Sequence, residues 1–173
     1  DDRLSPQDAN EIAEACVKMA EVKTGALIVI ERNVSMGDIV SASGVAVDAV
    51  ISSQLLINIF EDKTPLHDGA VIIRDNRVAA ASCILPVTQS EIGQELGTRH
   101  RAAVGASEVS DAFIIVVSEE TGKISIAVDG NLNYNLSLDD ARMILVEELK
   151  PKKEVLLDDE FVDEKEDDND ENA

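Results

Sequence analysis

The sequence is poor in aromatic side chains and in positive charge. Phe60, Phe113, Phe161 and Tyr134 are the whole aromatic set, and there is no tryptophan. Four rings are too few for a platform on which nucleic-acid bases stack. Lys and Arg number 15 against 35 Asp and Glu, a net charge of −20 over 173 residues. A field of that sign repels phosphate backbones, which excludes non-specific DNA or RNA binding. No apolar run approaches the roughly 20 residues a membrane helix requires. The two cysteines, Cys16 and Cys83, lie far apart inside apolar stretches, with no CxxC spacing. They read as small core residues of a reducing compartment rather than as zinc ligands. GxGxxG and GxxxxGK[ST] are both missing, so neither a Rossmann fingerprint nor a P-loop is available.

What is present is 45% hydrophobic, in a length that suits one domain. Charge is unevenly placed: Asp158 to Ala173 hold ten acidic side chains and one lysine, net −9. Such self-repulsion predicts an acidic disordered tail over 151–173, beginning where Pro151 stops a helix. It reads as a solubilising terminus or as a docking tail for a basic partner. The chain opens on Asp1-Asp2-Arg3 rather than Met, as a fragment or processed chain would.

Ser5-Pro6-Gln7-Asp8 carries the signals of a helix start, and Ile12, Ala13, Cys16, Val17 and Ala20 share one face of a helix to about Val22. The runs 26–30 and 112–117 are short, continuous and apolar, the pattern of buried strands. Residues 31–44 read as loop with at most a short edge strand. Ser52 or Ser53 caps a helix through Phe60. Residues 71–74 and 77–85 flank Asp75-Asn76, two residues tolerant of positive φ, and so read as a hairpin whose second strand Pro86 ends. A short helix over 92–96, a helix capped by Thr98, a strand over 124–128 and a helix from Ser137 to Lys150 complete the expectation. Helices mixed with buried strands and a hairpin predict an α/β fold, a mixed central sheet with helices on both faces.

Three segments stand apart from the packing pattern. His67-Asp68-Gly69-Ala70 places a carboxylate at the mouth of a buried strand, followed by residues with almost no side chain. It suits a close ligand approach, a divalent cation or proton transfer from a hydroxyl, or it is simply a turn. Gly97-Thr98-Arg99-His100-Arg101 is a dense cationic cluster at an expected helix start. Amides, a hydroxyl and two guanidiniums there make a phosphate site; alternatively Arg99 and Arg101 only neutralise Glu95 and Glu108. Ser118-Glu119-Glu120-Thr121 follows a buried strand and offers a phosphate-binding hydroxyl and a metal-binding carboxylate, or a polar turn. Together the segments suggest metal-assisted chemistry on a polyphosphate.

Lys23 to about Leu149 resembles the diadenylate cyclase (DAC) domain family. The residues that carry the likeness are Leu55 to Phe60, Thr64 to Ile73 with its His-Asp-Gly-Ala core, Leu96 to Ala103 with Arg-His-Arg, and Val117 to Gly122. The resemblance is greatest to the membrane-anchored subtype, and it implies residues 1–22 as an N-terminal helix packing on a catalytic domain over 23–150. It implies condensation of two ATP into cyclic di-AMP and two pyrophosphates, dependent on Mg²⁺ or Mn²⁺, across the two-fold axis of a homodimer. Asp68 matches the residue that helps bind metal and activates the ribose 3′-hydroxyl, with His67 and Glu120 as further metal ligands. Thr98, Arg99, His100, Arg101 and Ser118 would hold the triphosphate, with Gly69 and Ala70 beside it. The backbone at Leu85 would read adenine, and Ile84 departs from the Tyr of some relatives, so no ring is expected over the base. The subtype implies work at the cytoplasmic face of the cell membrane, anchored through segments outside this chain, with a regulatory protein as a possible partner. The alternatives are a non-catalytic adenine-nucleotide-binding module and a metal-dependent hydrolase using His67-Asp68.

Overall fold

The computed structural model describes residues 4–94 and 96–149. Helix α1 (Pro6–Glu21) starts as its sequence dictates, Ser5 Oγ accepting from Asp8 N at 3.1 Å with Pro6 at the first position. Strand β1 (Ala26–Ile30) is buried on both faces. Then come α2 (Gly37–Ser43), β2 (Val45–Val50) and α3 (Ser53–Phe60), the last capped by Ser52. Strands β3 (Ala70–Arg74) and β4 (Arg77–Cys83) form the hairpin, with Asp75 and Asn76 at φ 52° and 61°. Helix α4 (Thr98–Glu108), β5 (Phe113–Val117), β6 (Ile124–Val128), β7 (Asn131–Leu136) and α5 (Leu138–Glu148) follow.

The seven strands form one sheet in the order β2-β4-β3-β1-β5-β6-β7. Only β1 and β3 pair in parallel, so the sheet is mixed as expected. Alternation along the central strands separates two cores. Ile28, Ile30, Val71, Ile73, Ile115 and Val117 face α1, α3 and α5, while Leu27, Val29, Ile72, Ile114 and Val116 face the small residues of α4. Each fully buried Ile or Leu contributes about 2–3 kcal/mol of transfer free energy. Helices thus cover both faces.

Several local expectations need correction. Residues 31–44 contain α2, a helix with no buried residue and hence no amphipathic stripe to read. The edge strands β2 and β7 are mostly exposed; β7 lacks an apolar run, and in β2 Asp48 interrupts a run of Val and Ala. No helix forms among the described residues of 92–96. Helix α4 begins at Thr98 itself, with Gly97 as its N-cap and no side-chain cap. Strand β4 ends at Cys83, three residues before Pro86. Lys150 and the acidic tail lie outside the described residues. No described helix is long and apolar enough to cross a membrane.

Candidate active site

Topology gathers the three segments. Strand β3 runs parallel to β1, and β4 and β5 run against their neighbours. The start of β3, the end of β4 and the end of β5 therefore meet at one edge of the sheet, where α4 also begins. A cavity of about 600 Å³ opens there, lined by His67, Asp68 and Gly69, by Cys83 to Leu85, by Thr98 to His100 and by Ser118 to Glu120, among others.

Asp68 stands at the mouth with its carboxylate 90% exposed, and His67 Nε2 lies 3.3 Å from its Oδ1. His67 Nδ1 sits 2.7 Å from the carbonyl oxygen of Thr64, an acceptor only, so Nδ1 carries the proton. In the neutral ring the Nε2 lone pair then confronts a carboxylate oxygen. An imidazole nitrogen beside a carboxylate is a donor pair that suits Mn²⁺ or Mg²⁺ when phosphate oxygens complete the shell. Glu120 lines the same cavity, but no three His, Cys, Asp or Glu side chains among the described residues are grouped to hold a metal. The expected trio of His67, Asp68 and Glu120 is therefore not assembled as one ligand set.

Gly69 needs its missing side chain. Its φ is +81°, and a Cβ would meet Cys83 O at 2.8 Å and Ser82 C at 2.9 Å. Beside it the β3–β4 register slips between Ala70 and Ile72, and Ser82 takes φ 55°. This bulge swings the chain after Cys83 outward as the cavity wall. Leu85 is buried in that wall, whereas Ile84 is exposed at its rim.

The cationic cluster is divided by the helix. Thr98, Arg99 and His100 line the cavity, but Arg101 does not; its Nη2 donates to Gly93 O at 3.3 Å. Ala70 likewise is buried in β3 opposite Cys83 and is not part of the lining. Arg99 pairs with Glu119 at 3.5 Å and lies over Gly25, where a Cβ would meet its guanidinium at 2.5 Å. His100 is buried, and that burial, with Arg99 beside it, pulls its pKa below the usual value against the opposing pull of Glu120. Ser118 Oγ accepts from the amides of Glu120 and Thr121, both at 3.2 Å, which leaves its O–H to donate to a ligand.

The DAC family model, described as DisA bacterial checkpoint controller nucleotide-binding, matches residues 13–132. The chain belongs to the DAC family. It is 51% identical over 140 residues to the cyclic di-AMP synthase CdaA of Bacillus subtilis, covering 80% of this chain and 51% of that protein. It is 52% identical over 132 residues to a diadenylate cyclase of Listeria monocytogenes, covering 76% and 48%. This DAC chain thus spans about half the length of the curated relatives it matches. A double mutant of DacA from Staphylococcus aureus superposes with a TM-score of 0.78 at 46% identity, covering 82% of this chain and 94% of that one. A hypothetical membrane spanning protein from Bacillus cereus gives 0.69 at 44% identity, covering 76% and 64%.

Sequence reasoning missed two parts of this DAC site. Gly25, just before β1, shows no chemistry in the sequence, yet it is the seat of Arg99. Glu119 reads as part of a segment offering a metal-binding carboxylate or a turn, yet it is the partner of Arg99. Both are contacts between distant segments, which no local pattern encodes.

Proposed function

We propose that this DAC domain condenses two ATP molecules into cyclic di-AMP with release of two pyrophosphates. The observation that carries the reading is the convergence, in one cavity, of an exposed carboxylate, a cationic helix start and an apolar wall bearing free backbone groups. Relatives of about 50% identity that are named as cyclic di-AMP synthase and diadenylate cyclase support it.

The triphosphate lies against the α4 N-terminus, where amides, Thr98, Arg99 and neutral His100 donate, with the Ser118 hydroxyl opposite. Adenine packs on the wall at Cys83 to Leu85 and bonds to the Leu85 backbone. The ribose then reaches the mouth beside Asp68. The Asp68 carboxylate takes the proton of the 3′-hydroxyl as that oxygen attacks the α-phosphorus of a facing ATP. The new O3′–P bond forms, the bond from that phosphorus to the pyrophosphate oxygen breaks, and pyrophosphate departs with the electron pair. The same step on the other nucleotide closes the ring. Each ATP is nucleophile and electrophile at once, so two cavities must face one another, which a two-fold homodimer provides. His67 and Asp68 would hold Mg²⁺ or Mn²⁺, which would supply charge neutralisation for the phosphates and ease deprotonation of the 3′-hydroxyl. In a longer, membrane-anchored protein the domain works at the cytoplasmic face of the membrane, where a regulatory protein can reach it.

The test is product analysis. Purified protein with ATP and Mn²⁺ yields cyclic di-AMP and pyrophosphate by mass spectrometry. Asp68→Asn loses at least about 100-fold of that activity while its melting temperature stays unchanged, because the side chain is exposed. Binding of ATP without product, release of AMP, or a fully active Asp68→Asn variant overturns the reading.

A further inference from the structure

The wall at residues 84–88 carries no regular structure and is held from two sides. On the α4 side, Thr88 N donates to Arg101 O at 3.0 Å, and the Pro86 backbone lies directly on Gly105. On the other side the holder is α2. Ile84 N donates to Ser43 Oγ at 2.9 Å, and the same hydroxyl donates to Ile39 O at 3.0 Å. Gly44, next along, lets Cys83 Sγ approach to where a Cβ would meet it at 2.5 Å.

Helix α2 is itself tied to the sheet. Glu31 accepts from Met36 N at 3.1 Å and from Arg74 Nε and Nη2 at 2.9 to 3.1 Å, and Met36 is buried. The helix has no buried residue of its own. Ile39 and Val40 pack part-buried against the core that includes Cys83 and Leu85, and among the described residues Ser43 is the one side chain that bonds to the wall's first exposed amide.

We infer that Ser43 is a positioning residue for base recognition: through the Ile84 amide it sets the place of the Leu85 backbone, and hence the fit of the purine. This rests on the cyclase reading, which puts the base at that wall. The Ser43–Ile84 bond is exposed to solvent, so water replaces it when the hydroxyl is lost. The effect falls on geometry more than on stability.

Ser43→Ala and Ser43→Thr are compared with wild type in steady-state turnover of ATP, and in calorimetry with ATP, GTP and inorganic tripolyphosphate. Ser43→Ala raises the KM for ATP about three- to tenfold, the size expected for one lost hydrogen-bonded anchor. It leaves kcat within about twofold and narrows the preference for ATP over GTP. Tripolyphosphate, which needs only the α4 side, binds Ser43→Ala as it binds wild type. Ser43→Thr, which keeps the hydroxyl, restores the wild-type KM. An unchanged KM in Ser43→Ala overturns the inference, as does a parallel loss of tripolyphosphate affinity, which would mark a general structural defect. A wild type that binds no ATP overturns the cyclase reading itself, and this inference with it.

Discussion

Gly105→Ala sets helix propensity against tertiary contact. In an isolated helix, replacing Gly by Ala stabilises by about 1 kcal/mol. Here a Cβ at position 105 overlaps Pro86 O and comes to 2.7 Å from both Pro86 C and Thr88 N. All three are backbone atoms, so no rotamer relieves the contact, and residues 86–88 must retreat by at least about 1 Å. Such overpacking costs about 1–3 kcal/mol and sometimes more. Thr88 N also risks its bond to Arg101 O. The contact outweighs the propensity, leaving a net loss of up to about 2 kcal/mol. At this size that lowers the melting temperature by up to about 8 °C. The same movement displaces Leu85, so kcat/KM for ATP falls at least tenfold, a 1 Å error being costly in a positioned reaction. Thermal unfolding followed by circular dichroism, with pyrophosphate release as the activity assay, gives both numbers. A variant that melts higher than wild type and turns over ATP normally refutes the clamped wall.

Gly25→Ala meets only the end of the Arg99 side chain, which is flexible. The melting temperature should stay within about 2 °C, while the KM for ATP rises several-fold as the guanidinium leaves its seat; an unchanged KM would show that Arg99 does not hold phosphate. His100 has a folded-state pKa below its ordinary value of 6.5. Between the two values the unfolded chain binds more protons, so stability rises with pH and is lost as pH falls below about 6.5. Melting curves at pH 5.5 and 7.5 should show a larger loss for wild type than for His100→Asn, and equal losses would refute the assignment. Burial pushes the Cys16 thiol up to about 12 and raises that of Cys83 as well. Native protein at pH 8 should therefore give no fast thiol titre with a disulfide reagent, both thiols reacting only after denaturation. A rapid native titre would contradict the packing.

The sequence carries the centre of this fold plainly and its margins poorly. β1 and β5 are buried on both faces, so their apolar runs are unbroken and readable. The caps at Ser5, Ser52 and Ser137 and the hairpin at Asp75-Asn76 are local signals, and each is where it was expected. β2 and β7 pair along one edge only and α2 buries no residue fully; β2 is apolar but exposed, and β7 and α2 carry no burial stripe strong enough to mark them. The site divides along the same line. Asp68, Gly69, Arg99, His100 and Ser118 are legible because unusual chemistry sits next to strand and helix ends. Gly25, Gly105 and Ser43 matter through approaches to segments outside their own element, and their types alone say nothing of this. Arg101, in the same linear motif, turns its guanidinium to Gly93 O instead of lining the cavity, a difference the motif alone does not reveal.

The central claim is that two copies of this chain act on each other's nucleotide. Cyclic di-AMP formation per protomer, measured at saturating ATP and Mn²⁺ while the protein is diluted through the range in which mass photometry shows dimers separating, tests it most directly. Activity per protomer should fall in proportion to the dimer fraction. A rate per protomer that holds constant while monomers dominate would contradict it.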